Sequence, residues 1–227
     1  MPDAPRISSF GFHLSFVILH SSFPALLLAL AACVSLTGCF GFLKPSKATE
    51  RHFVLAALPV TETAAVPPGT LAVGVGQVKL PAYLFNTSMA IRSGTNEIEY
   101  PVVTLWAERL DTGIQRVVAA NLALLLPTDQ IRLSAWRSED VAAEVYVTIE
   151  QFDVDTRGNA VLVAWWRILA PGGEKILKAG EARLTRQGPS PDTAPSGAIA
   201  TLSDLVADLS RQLAQALKET RPASGSK

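Results

Sequence analysis

The sequence predicts an α+β fold, a two-layer sandwich in which a mostly antiparallel, curved sheet carries two helices packed on one face. Three observations predict it. Two stretches repeat apolar residues at helical spacing: Ile114, Val117, Val118, Leu122 and Leu125 in one, Leu202, Leu205, Val206, Leu209, Leu213 and Leu217 in the other. Between them, Glu144–Asp155, Ala160–Trp166 and Ile176–Arg186 read as strands joined by short turns, the pattern of an antiparallel meander. Twice the apolar phase slips by one residue, at Gly76-Gln77 and near Gln151, as β-bulges produce, and bulges bend a sheet.

In chain order, His52–Leu58 predicts a first, largely buried strand and Val66-Pro67-Pro68-Gly69 the turn after it. Leu71, Val73 and Val75 alternate on a second strand. There Gly74 and Gly76 share a face on which a helix or another backbone can come close. Met89–Arg92 and Glu97–Tyr100 flank Ser93-Gly94-Thr95-Asn96 as a hairpin with a polar turn. The first helix takes Asp111 or Thr112 as its N-cap and stops at Pro127. Ile131, Leu133 and Ala135 suggest a short strand, and Val145, Val147 and Ile149 alternate in the long one that follows. Ala160–Trp166 is apolar on both faces, which predicts a central strand. Trp165 and Trp166 must point to opposite faces, one into the core and the other under helices or at an exposed interface. Ala170-Pro171-Gly172-Gly173 makes the next turn, and a breaker-rich loop from Gly188 to Pro195 precedes the last helix, whose leucine stripe must lie on the sheet. Strand–helix–strand units at both ends add the option of parallel pairs at the sheet centre.

The chain holds 20 basic and 20 acidic residues, so nothing in it is basic enough to track nucleic acid. Arg6, the apolar run Ala25–Ala32 and small residues before Cys39 have the layout of a secretory signal. An uncleaved membrane helix over residues 14–38 is the alternative on length, but His20, Ser21, Ser22 and Pro24 interrupt it. The expected organisation is a signal peptide over 1–38, a tether over 39–50, one folded domain over 51–220 and a disordered tail over 221–227. Of the two cysteines, Cys33 would leave with the signal, so no disulfide is expected in the mature chain.

Leu36-Thr37-Gly38-Cys39 resembles the lipobox of bacterial lipoproteins. The resemblance implies a diacylglycerol thioether on Cys39, cleavage before it, and an acyl chain such as palmitate on the new N-terminus. Acyl chains buried at ~0.8 kcal/mol per CH₂ give a firm anchor without a spanning helix. Phe40 rather than Asp follows the cysteine. In that family this implies sorting to the outer membrane, where the domain faces the periplasm.

A second resemblance covers nearly the whole mature domain, from about Arg51 to Lys218. Leu80-Pro81-Ala82-Tyr83-Leu84, then Ile91-Arg92, then Trp106-Ala107-Glu108, then Asn121-Leu122 together resemble the ABC-type transport auxiliary lipoproteins, the PqiC (paraquat-inducible) group. This chain departs from the usual family pattern at Asn86-Thr87, Leu105 and Arg109. The resemblance implies a non-catalytic outer-membrane subunit of a lipid transport machine. Its companions would be an MCE-type protein that bridges the periplasm and an inner-membrane ABC permease, and a second copy of the chain is a further candidate partner. A scaffold or activator lipoprotein of another envelope assembly is the competing reading.

Candidate partner-binding residues are Tyr83, Leu84, Trp106 and Glu108. Tyr83 and Leu84 follow a strand-breaking Pro81 and form either an exposed apolar tip or ordinary packing. Trp106 is a core plug or a docking residue, and Glu108 is free to pair with a partner's base, with Arg92 or with Arg109. Signals for catalysis are weak. Beyond the signal segment the one histidine is His52, expected in a buried strand, and no serine sits in a nucleophile elbow. Gly74-Val75-Gly76 lacks the third glycine and the helix of a dinucleotide loop. One histidine and a lipidated cysteine are too few to hold zinc, and no cofactor is expected beyond the lipid on Cys39. Asn86-Thr87-Ser88 matches a glycosylation acceptor by pattern alone.

Overall fold

The computed structural model describes residues 49–60, 71–126, 128, 130–133 and 135–220. The signal segment with Cys39, the tether up to residue 48, the turn at 66–69, Pro127 and the tail from residue 221 lie outside the described residues. In chain order the strands are β1 (Arg51–Phe53), β2 (Val73–Val75), β3 (Ile91–Gly94), β4 (Glu97–Glu99), β5 (Thr104–Trp106), β6 (Ile131–Leu133), β7 (Ala143–Asp155), β8 (Asn159–Leu169) and β9 (Ile176–Gln187). The helices are α1 (Leu110–Leu125) and α2 (Pro195–Thr220).

The main sheet is built around β7. One of its edges is covered by β8 and then β9, the antiparallel meander that the three alternating segments predict. The other edge is shared. Its first half pairs in parallel with β2, Val73 to Ala143 and Val75 to Val145, and its end pairs in parallel with β3, Ile91 to Val154. Outside these lie β6, parallel to β2, and β4, antiparallel to β3. The sheet is therefore mixed rather than mostly antiparallel. Its parallel pairs follow from α1, which carries the chain back across the sheet so that β6 and β7 run in the same direction as β2 and β3. A small second sheet pairs β1 with β5 in parallel.

Both expected irregularities are present. The β7–β8 register shifts between Ile149 and Gln151, which keeps Phe152 and Val154 on the buried face. Along β2, the step from Val75 to Lys79 spans one residue more than the step from Val145 to Thr148 that it faces. The aspects of Gly74 and Gly76 that the sequence leaves open to a helix or backbone are covered by aromatic rings. A Cβ on Gly74 would stand 2.5 Å from the Trp136 ring, and one on Gly76 2.5 Å from that of Tyr146.

Both helices pack on the face that presents Val145, Val147 and Ile149 from β7 and Leu162, Ala164 and Trp166 from β8. The α2 stripe is fully inside: Leu205, Leu209 and Leu213 have no exposure. Trp166 lies on this face and Trp165 on the other, about half exposed, with its indole N–H donating to Glu150 at 2.7 Å. The first helix begins at Leu110 with Arg109 as N-cap, two residues before the earlier of the two expected caps, and with no capping side chain. Asp111 is instead buried in the first turn.

Of the expected first strand, His52–Leu58, only His52 and Phe53 lie in a strand, and β1 is mostly exposed, His52 included. Its partner β5 is too short to show alternation in the sequence. Beyond Phe53 the chain runs over the two helices and is held by polar contacts. The Leu58 N–H donates to Asn121 Oδ1 at 2.7 Å, and the Ala56 N–H donates to Ser203 Oγ at 3.1 Å. Asn121, which is completely buried, also donates to Ser210 Oγ at 3.1 Å and so ties α1 to α2.

Candidate functional site

Three of the four candidate partner-binding residues converge on one surface cleft. Leu84, Trp106 and Glu108 line it, together with Phe85, Asn86, Arg109 and the start of α1, around a volume of about 490 Å³. Two local structures form its walls. Pro81 starts a single 3₁₀ turn, Ala82–Phe85, closed by the Leu84 N–H donating to the Pro81 carbonyl at 3.0 Å. In a 3₁₀ turn residues i and i+3 fall on one side, so Ala82 and Phe85 both face solvent while Leu84 points inward. The opposite wall is β5, whose Trp106 N–H donates to the Thr87 carbonyl at 2.7 Å.

The exposed apolar tip is therefore Phe85, at 55% exposure, and not Tyr83 or Leu84. Leu84 is buried, and Tyr83 is half-buried with both ends tied down. Its hydroxyl donates to Asp153 Oδ2 at 3.0 Å and accepts the Phe152 N–H at 3.3 Å, while its carbonyl accepts the Tyr100 hydroxyl at 2.8 Å. Burial and the Asp153 charge push the Tyr83 hydroxyl up to about 12. Arg92 completes this network, donating to Asp153 from Nε at 3.2 Å and from a terminal nitrogen at 2.7 Å.

Trp106 is a core plug, with only an edge in the cleft. Glu108 pairs with Arg116, at 2.6 Å, rather than with Arg92 or Arg109. Arg92 is committed to Asp153, and Arg109 forks onto Asp111 at 3.2 and 2.7 Å. That fork, helped by the Thr112 N–H, holds the Asp111 carboxyl below the usual range. The Arg109 guanidinium also stands 5.5 Å from the centre of the Phe85 ring, so the cleft rim carries a cation–π pair. Phe85, Arg109 and Arg116 were missed as site residues. Only the 3₁₀ periodicity after Pro81 could have singled out Phe85.

The family model of the ABC-type transport auxiliary lipoprotein component matches residues 53–214 of the 227. The chain belongs to that family. Among solved structures, this auxiliary lipoprotein is similar to an uncharacterised protein at 19% identity and a TM-score of 0.59, over 74% of this chain and 99% of the other. It is also similar to protein XCC0632 from Xanthomonas campestris at 13% identity and a TM-score of 0.62, over 75% and 95%. At these identities the likeness is one of fold. No curated protein is significantly similar to the chain. No described helix of the auxiliary lipoprotein is long and apolar enough to cross a membrane.

Proposed function

We propose that the protein is a non-catalytic subunit of an MCE-type ABC lipid transport system, anchored by lipid on Cys39 in the outer membrane. There it docks the periplasm-bridging MCE-type protein, whose other end meets the inner-membrane permease. The family match supports the transport role. The observation that carries the docking reading is Phe85, an exposed aromatic on a stiff turn, backed by Leu84 and Trp106 and rimmed by Arg109 and the Glu108–Arg116 pair. An aromatic anchor inside a polar, charged rim is the usual makeup of an interface hot spot.

The test is capture of the MCE-type protein by the full chain, comparing wild type with Phe85→Ser. Removing one central aromatic anchor costs about 2 kcal/mol or more, a fall in affinity of roughly thirtyfold. Tyr83 and Leu84 are poor positions for this test, because both hold the fold. Undiminished capture by Phe85→Ser would remove the cleft from the docking surface. Absence of capture by either protein, in a genome without adjacent MCE, permease and ATPase genes, would favour a scaffold role in another envelope assembly.

A further inference from the structure

Among the described residues three carboxylates are buried: Asp111, Glu144 and Asp153. Two have a guanidinium on them, Arg109 on Asp111 and Arg92 on Asp153, each at 2.7 Å. Glu144, only 5% exposed, makes no ion pair with any described residue, and its donors are all neutral. The Trp136 indole N–H (3.2 Å) and the Gly172 N–H (3.1 Å) donate to Oε1, and the Tyr146 hydroxyl donates to Oε2 at 3.1 Å. A carboxylate offers about four acceptor positions, so one on Oε2 is left. A buried charge without a counter-charge is expensive, and the fold has avoided that arrangement at its other two buried acids.

Glu144 is also placed where a ligand can reach it. It lines an open cleft of about 780 Å³ whose other walls include Gln77, Gln115, Ser138 and the rings of Trp136 and Tyr146. Among the described residues no lysine or arginine lines this cleft. The nearby Arg137 is paired with Glu139 and Asp140, and Arg167, opposite Tyr146 on β8, lines a different hollow. The two rings reach Glu144 because Gly74 and Gly76 beneath them have no Cβ, and Gly172 presents its N–H from a backbone at φ 87°.

We propose that this cleft binds a primary ammonium group, with the cation on Glu144 Oε2 against the Trp136 and Tyr146 rings. The carboxylate supplies a charge-assisted hydrogen bond, and the Trp136 N–H and Tyr146 O–H that donate to it hold it in place. The amine is either a free small molecule or the amine of a phospholipid headgroup. The site shares no residue with the Phe85 cleft and does not rest on the docking reading.

The full chain, reconstituted in phosphatidylglycerol vesicles, is titrated with ethanolamine and with ethylene glycol, its neutral analogue, and tryptophan fluorescence is followed. Saturable quenching by ethanolamine is expected, with ethylene glycol weaker by roughly tenfold or more. Glu144→Gln keeps the shape and still accepts from Trp136 and Gly172. It is expected to weaken ethanolamine by the same factor while melting as a folded protein. Should Glu144→Gln fail to fold, Trp136→Leu, at a half-buried position, is expected to weaken ethanolamine several-fold. Adding phosphatidylethanolamine to the vesicles separates the sources. A rise in the apparent ethanolamine constant assigns the lipid headgroup, and an unchanged constant assigns the free amine. Equal responses to the two titrants, no saturation, or full ethanolamine binding by whichever variant folds would overturn the proposal.

Discussion

Asp153 can be buried because Tyr83, Arg92 and Gln151 supply four hydrogen bonds to its two oxygens. Asp153→Ala leaves the Arg92 guanidinium, itself about 70% buried in its side chain, without its partner. The expected loss is about 2–3 kcal/mol, measured by denaturant unfolding. Tyr83 adds a pH dependence. In the unfolded chain a tyrosine ionises near 10, whereas in the fold Tyr83 holds its proton to about 12. Below pH 10 both states are protonated and the hydroxyl's contribution is intact. Between pH 10 and 12 the unfolded state loses the proton first, so stability falls as pH rises. The stability gap between wild type and Tyr83→Phe should therefore narrow across that window, and a constant gap would contradict the assignment.

Strand β2 and helix α2 show what each element contributes. Gly74 in β2 and Gly76 just after it set how closely the aromatic layer lies on the sheet. Gly76→Ala places a Cβ 2.5 Å from the Tyr146 ring, which must move, and the expected cost is about 1–3 kcal/mol in thermal or chemical unfolding. Helix α2 carries much of the core. Ending the chain at Thr201 removes Leu205, Leu209, Leu213 and Leu217, all essentially unexposed, each contributing about 1.5–3 kcal/mol. Their sum is on the order of the whole stability of a domain of this size. The truncated chain should show no cooperative melt in calorimetry, and a sharp transition would mean that α2 is an appendage.

For the molecule as a whole, the decisive questions are how it is anchored and whether it performs chemistry. Cys39→Ser should leave an unacylated, larger precursor that is lost from the outer-membrane fraction, because the cut and the acylation both depend on the thiol of Cys39. A mature-sized Cys39→Ser protein that still sediments with the outer membrane would refute the anchor. His52 lies exposed on β1, so His52→Gln should change stability by no more than about 0.5 kcal/mol and should complement a deletion strain fully. Normal abundance of His52→Gln with complete loss of complementation would point to a histidine-dependent reaction.

Periodicity carried the long elements. The leucine stripe of α2, the alternation in β7 to β9 and the two phase slips are repeated patterns over many residues, and local chain geometry is enough to read them. The 3-residue strands β2 and β6 are different, since their pairing depends on which edges α1 brings together. That is why the sheet proved mixed. The cleft was legible only in part. Leu84, Trp106 and Glu108 could be named from sequence, but whether Tyr83 or Phe85 faces solvent depended on where one 3₁₀ turn starts and on Asp153, 70 residues away. The partners of charged groups were likewise settled by tertiary structure. Arg116 reached Glu108 from two turns along α1, and Glu144 was left with aromatic and amide donors alone, because ion pairing depends on distances in space that sequence separation does not encode.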